Sequence, residues 1–176
     1  AALILGKVNL SEWAYYFCQG CPLGYSAMGG QTLNPYGRKL FETGGSSSGS
    51  GVAVAANYAV AALGSETSGS ILSPSGKNSL VGLKPTIGAI SRSGIVPISS
   101  SMDTAGPMTK YVIDNAILMS AMTGKDTDDP SSYESLPIRF DHLDTVSFKG
   151  VRLGLNQNFE KDSLLKIAME KIKAEG

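Results

Sequence analysis

Two stretches rich in serine and glycine, GGSSSGSG at residues 44–51 and GSETSGS at residues 64–70, constrain this chain more than any other feature. Between Thr43 and Gly76 the only charged side chain is Glu66, and the residues separating the two stretches are mostly alanine and valine. A flexible Gly/Ser linker stays extended because it has nothing to bury. Here Val52, Val54, Val60 and Leu63 supply apolar surface directly between the stretches, so the segment reads as loop, buried helix, strand, loop. Two hydroxyl-bearing loops are thereby expected to face one site.

Composition narrows what that site can serve. At 176 residues and 42% hydrophobic content the chain can build one domain or part of one, and 21 glycines with 8 prolines imply many turns. Fifteen basic and fifteen acidic residues cancel, and no run of Lys/Arg carries interleaved aromatics, so nucleic acid is not expected as a direct ligand. No apolar run reaches the roughly 18–20 residues of a membrane span. The opening Leu3, Ile4 and Leu5 lack the basic flank and cleavage site of a secretory leader, so no membrane partner and a cytoplasmic location are expected. Cys18 and Cys21 form the one Cys-x-x-Cys and His142 is the one histidine, too few for a sulfur–imidazole zinc site. With Gln19-Gly20 between them and Pro22-Leu23-Gly24 following, the cysteines read as loop residues rather than a redox dithiol. No metal or other cofactor is expected.

Residues 3–8 form a short apolar run that predicts a buried strand, and Asn9 or Ser11 can cap a short helix over 11–14. Residues 15–45 read as a long loop that runs into the first serine stretch and is expected to line a pocket. A short helix is predicted over 71–78, a strand over 80–83 closed by Lys84 and Pro85, and a loop-rich segment over 85–107. Apolar residues at 112, 113, 116, 117, 119 and 122 predict a helix over 111–123, with Gly124 as its stop. After a turn-rich stretch, a strand over 151–155 and an amphipathic helix over 161–174 follow. Alternation of strands and helices predicts an α/β architecture.

Serine becomes a nucleophile only when a base takes its proton and donors receive the oxyanion. The turn Thr67, Ser68, Gly69, Ser70 presents successive backbone N–H groups, and its glycine permits close approach, so Ser70 is the best nucleophile candidate. His142 sits in a polar stretch without glycine-rich or strand-end context, and the Ser-x-x-Lys at Ser163 and Lys166 falls within the last helix, so neither is assigned a role. The same loops could instead hold a phosphate, as glycine-rich turns leading into helices do. Neither Gly-x-x-x-x-Gly-Lys-Ser/Thr nor Gly-x-Gly-x-x-Gly is present. A third reading is a non-catalytic scaffold, in which the small residues merely let a helix pack closely on a sheet.

The two serine stretches, together with Val81-Gly82-Leu83-Lys84-Pro85-Thr86 and Asp103-Thr104-Ala105-Gly106-Pro107, resemble the amidase signature family. The resemblance begins at Leu3, runs to about Pro130 and continues more weakly through residues 148–154. It implies a mixed β-sheet covered by helices and hydrolysis of a small-molecule carboxamide by a Ser-cisSer-Lys arrangement. Ser70 matches the nucleophile and Ser46 the bridging serine, with the Gly45–Ser46 peptide expected to be cis. Thr67, Ser68, Gly69 and Ser70 would supply the oxyanion hole, and Ser47 and Ser65 supporting hydrogen bonds. The family's lysine base lies upstream of the matched region. Residues 1–176 are therefore expected to be the central part of one amidase signature domain, without the lysine segment and the C-terminal part, so that the chain alone lacks its base and exposes apolar surface that favours self-association. Ser68 and Leu72 replace a common glycine and arginine, which implies altered substrate preference. Within the family, the segments at residues 91–99 and 103–107 look more like stand-alone amidases than like the A subunit of the tRNA-dependent glutamine amidotransferase, the alternative reading.

Overall fold

The computed structural model describes residues 2–16, 20–135, 138–140, 147–155 and 161–176. They fall into two compact units, Ala1–Ile138 and Arg139–Gly176. In the first, a small antiparallel hairpin of β1 (Tyr25–Ser26) and β2 (Gly30–Gln31) precedes α1 (Ser48–Ala55), β3 (Ala61–Glu66), α2 (Leu72–Lys77), β4 (Val81–Gly82), β5 (Thr104–Thr109) and α3 (Val112–Met122). The second contains α4 (Ser163–Ala174), capped by the Asp162 carboxylate, which accepts the N–H groups of Leu164 and Leu165.

The order β3-β5-β4 makes a three-stranded sheet in which every pairing is antiparallel. Because successive residues of a strand face opposite sides, β5 presents Gly106 and Met108 to one layer and Ala105 to the other. Met108 is fully buried on the side of α1 and α2, next to Gly51. Ala105 packs on the opposite side with Ala89, Ile90 and Met119 of α3. The sheet thus lies between helices, the α/β architecture that the alternating pattern predicts. α1 is buried almost all round, which is why it carries alanine, valine, glycine and serine and no charge.

Several elements differ from expectation. Residues 3–8 pair with no strand among the described residues, and Leu3, Ile4 and Leu5 are exposed. The short helix near residue 12 is a 3-10 turn, Glu12–Tyr15, in which Trp13, Ala14 and Tyr15 take positive φ and prevent an α-helix from propagating. β5, the central strand, begins within the stretch 85–107 expected to be loop-rich, and it contains Pro107. Proline removes a ladder donor, and here only its acceptor is used: the Pro107 carbonyl takes the Leu83 N–H and the Asn115 amide. Residues 151–155 form no strand. The apolar stripe of α3 is only partly covered, with Val112 and Ile117 exposed. Cys21 lies in a loop, as expected, and is disulfide-bonded. Cys18 and His142 lie outside the described residues. No helix among the described residues is long and apolar enough to cross a membrane.

Candidate active site

The first serine loop is fixed by contacts distant in sequence. Asn9 donates its amide to the carbonyls of Gly24 and Gly30 and to the Thr32 hydroxyl, and accepts the Ser26 hydroxyl at 2.6 Å. Its carbonyl takes the Gly49 N–H, where a Cβ on Gly49 would collide with the Asn9 backbone. Two residues on, the Ser11 N–H donates to the Ser46 carbonyl at 2.9 Å and the Ser11 hydroxyl accepts the Gly24 N–H at 2.8 Å. The Gly45–Ser46 peptide is cis. Gly44 takes φ +64° with no room for a side chain, since a Cβ would stand 2.7 Å from the Pro74 backbone.

The second serine loop is closed by Glu66, the last residue of β3. Its buried carboxylate accepts the N–H groups of Ile71 at 2.6 Å and Leu72 at 2.9 Å, folding residues 67–70 into a turn at the head of α2. Beneath this turn the fully buried Ile71 rests on glycine in all three strands, Gly64 of β3, Gly82 of β4 and Gly106 of β5. The Thr67 hydroxyl donates to Asp103 at 2.5 Å, and the other carboxylate oxygen of Asp103 accepts the N–H groups of Ile98 and Ser99, each at 2.8 Å. Burial pushes the Asp103 carboxyl up, but the Thr67 hydroxyl, those two N–H groups and the Arg92 charge together hold it below the usual carboxylate range. Arg92 in turn is committed to Asp129, which it contacts through Nε, Nη2 and its own backbone N–H.

The two loops are joined backbone to backbone, the Ser47 N–H donating to the Ser70 carbonyl at 3.1 Å. Ser46, Ser65, Thr67 and Ser70 consequently line one cleft with Ile95, Val96 and Ile98. Ser46 is buried and Ser70 half-buried. No acceptor among the described residues takes the N–H of Thr67, Ser68, Gly69 or Ser70. Ser47 lies behind the cleft, its hydroxyl 3.2 Å from both the N–H and the carbonyl of Ser65. Ser68 and Leu72 are exposed and do not line the cleft. Ser163 and Lys166 sit exposed on or beside α4 in the second unit.

The heads of α1 and α2 do not offer free N–H groups to a phosphate. At the head of α1 the N–H groups of Ser47, Ser48 and Gly49 already donate to the carbonyls of Ser70, Ser46 and Asn9, and at the head of α2 the Glu66 carboxylate occupies the place of an anion. Asn9, Ser11 and Asp103 carry positioning work that sequence reading does not assign to them. Glu66 could have been found, because a single charge in an apolar stretch must be paired or hydrogen-bonded when buried.

A family model described as Amidase matches residues 1–174. A probable amidase of Arabidopsis thaliana is 42% identical over 180 residues, covering 99% of this chain and 35% of that protein. The A subunit of the glutamyl-tRNA(Gln) amidotransferase of Ruegeria sp. is 41% identical over 167 residues, covering 93% of this chain and 33% of that protein. Among solved structures, the native peptide amidase of Stenotrophomonas maltophilia superposes with a TM-score of 0.83 at 44% identity, covering 97% of this chain and 37% of that chain. The chain therefore spans about a third of the length of the proteins it matches.

Proposed function

The chain belongs to the amidase family, and from that premise we propose that residues 1–176 are the central part of one amidase signature domain and carry the serine half of an amide-hydrolysing site. One observation carries the reading: the Ser47–Ser70 backbone bond places Ser46 and Ser70 on one cleft, beside a turn whose four N–H groups have no acceptor among the described residues. In this reading Ser70 attacks the carbon of a small-molecule carboxamide and Ser46 relays its proton toward a neutral lysine. The N–H groups of residues 67–70 receive the oxyanion, an amine or ammonia leaves, and water releases the acid. Ser47 supports the site by tying Ser65 to α1. No lysine among the described residues lines the cleft, so the proposal places that base outside them.

The test is Ser70→Ala in the protein at full length, assayed for ammonia release from simple carboxamides and C-terminal peptide amides. Loss of at least about 10³-fold in kcat is expected, since a nucleophile acts as a unit with its base. Turnover within tenfold of the parent would remove Ser70 from the mechanism. Similarity at 41% identity to the A subunit of an amidotransferase carries a second reading, ammonia transfer within an assembly. Free ammonia released by the purified protein alone counts against it.

A further inference from the structure

Asp103 stands between two cavities. One is the serine cleft, and the other, about 210 Å³, is lined by Arg92, Ile95, Pro97, Ser100 and Asp128 together with Asp103. Asp103 is 8% exposed, and its two carboxylate oxygens have different partners. One accepts the Thr67 hydroxyl, and the other accepts the N–H groups of Ile98 and Ser99. Thr67 opens the turn that ends at Ser70, and Ile98 lines the cleft opposite that turn.

Resting on the amidase reading, we propose that Asp103 and the Thr67 hydroxyl form a positioning pair that sets the angle of the turn's N–H groups and couples it to the cleft wall at residues 95–99. Within the turn no other side chain can do this. Ser68 is exposed, Gly69 has no side chain, and Ser70 lines the cleft. Glu66 fixes the far end of the turn through Ile71 and Leu72, so Thr67 is the near anchor. A donor that stabilises developing charge acts only from its correct position, and small displacements of such groups are heavily penalised in rate. Neither Asp103 nor the Thr67 hydroxyl is required to touch the reacting atoms. Their effect falls on the transition state, and ground-state binding is left in place.

The experiment compares Thr67→Val, Thr67→Ser and Asp103→Asn in the full-length protein, measuring kcat, KM, melting temperature and the inhibition constant of a peptide aldehyde that forms a tetrahedral adduct with a nucleophilic serine. Thr67→Val keeps the shape of the side chain and removes its donor. It is expected to lower kcat by about tenfold or more and to weaken the aldehyde by a similar factor, with KM within about twofold. Thr67→Ser restores the hydroxyl and is expected to recover kcat to within about threefold of the parent. Should Thr67→Val fail to fold, Asp103→Asn takes its place. Its amide oxygen can still accept from Ile98 and Ser99, whereas its NH₂ can only donate back to the Thr67 oxygen, so a neutral bond of reversed direction replaces the charge-assisted one and a smaller fall in kcat, at least about threefold at constant KM, is expected. A kcat within twofold for the valine or asparagine variant, or a rise in KM alone, overturns the positioning role. Turnover of Ser70→Ala within tenfold of the parent overturns the reading of Ser70 as the nucleophile, whereas a dead Ser70→Ala beside a fully active Thr67→Val overturns only the pair.

Discussion

Ile71→Ala probes the floor beneath the candidate nucleophile. Burying an isoleucine and then truncating it to alanine destabilises a core by about 2–5 kcal/mol, and the value within that range depends on how far the surroundings collapse. Around Ile71 they have little freedom. A Cβ on Gly64 or Gly106 would stand 3.0 Å from the isoleucine, and one on Gly82 would stand 3.1 Å from it, so the side chain rests on bare backbone of all three strands. That backbone is held in the ladder by its hydrogen bonds and has no side chain to swing into a void. The cavity should therefore persist, which places the loss near about 4 kcal/mol. With a urea slope of about 2–3 kcal/mol/M for a protein of this kind, the unfolding midpoint should fall by roughly 1.5 M. Ile71→Val, which removes one methyl and keeps the branched stem, should lose only about 0.5–1.5 kcal/mol. The assay is urea unfolding followed by circular dichroism on parent and both variants, fitted with a common slope. A loss below about 2 kcal/mol for Ile71→Ala would show that the sheet closes over the gap and that the glycine floor is not rigid.

Two further outcomes follow from the same geometry. Asn9→Ala removes four side-chain bonds that hold residues 24–32 together and should destabilise by about 2 kcal/mol or more. Asn9→Asp should be at least as damaging at neutral pH, because a carboxylate would face two carbonyls, and its deficit should shrink as the pH falls toward about 4 and stay constant below it; pH-resolved thermal unfolding of both variants checks this. Asp103 has a folded pKa depressed below its unfolded value, so its contribution is fully present above about pH 4 and is lost as pH falls through the folded value. The melting temperature should therefore drop between pH 5 and acid values by less in Asp103→Asn than in the parent, and equal drops would contradict the assignment.

The order loop, buried helix, strand, loop over residues 44–70 is legible because it rests on local chemistry. Uncharged alanine and valine flanked by serine and glycine admit one economical arrangement, and α1 and β3 occupy it. What is not legible depends on partners far along the chain. β5 contains Pro107, and only the placement of Leu83 and Asn115 around its carbonyl explains why a proline is tolerated in the central strand. The apolar run at residues 3–8 matches a buried strand in pattern, yet it finds no pairing partner among the described residues. Asn9 and Ser11 have the local signature of helix caps, because the loop they organise lies 13 to 23 residues away. Asp103 is visible as part of a motif, but its link to Thr67 spans 36 residues and has no local signature.

The abundance of serine is itself explained by this architecture. A loop packed against the edge of β3 would leave unpaired backbone groups on that strand, and such groups must find partners when buried. Ser50 donates to the Leu63 carbonyl, Ser47 bonds both backbone groups of Ser65, and Ser48 donates back to the Ser46 carbonyl. The Ser47 and Ser50 hydroxyls take the place of a neighbouring strand, and all three are committed to backbone. Ser46, Ser65 and Ser70 are left on the cleft, and no hydrogen bond to a described residue engages their hydroxyls. Ser65 lies within β3, where its backbone is held by Ser47, whereas Ser70 lies in the turn with the open N–H groups. Of these three hydroxyls, those of Ser46 and Ser70 lie in the two joined loops, so place in the fold rather than freedom alone separates these two from Ser65. A serine-to-alanine scan should accordingly separate the set: Ser47 and Ser50 variants should lose stability with kcat changed little in the folded fraction, and Ser46 and Ser70 variants should lose kcat with stability unchanged. Equal behaviour across all four would mean that the loops do not divide structural from chemical work.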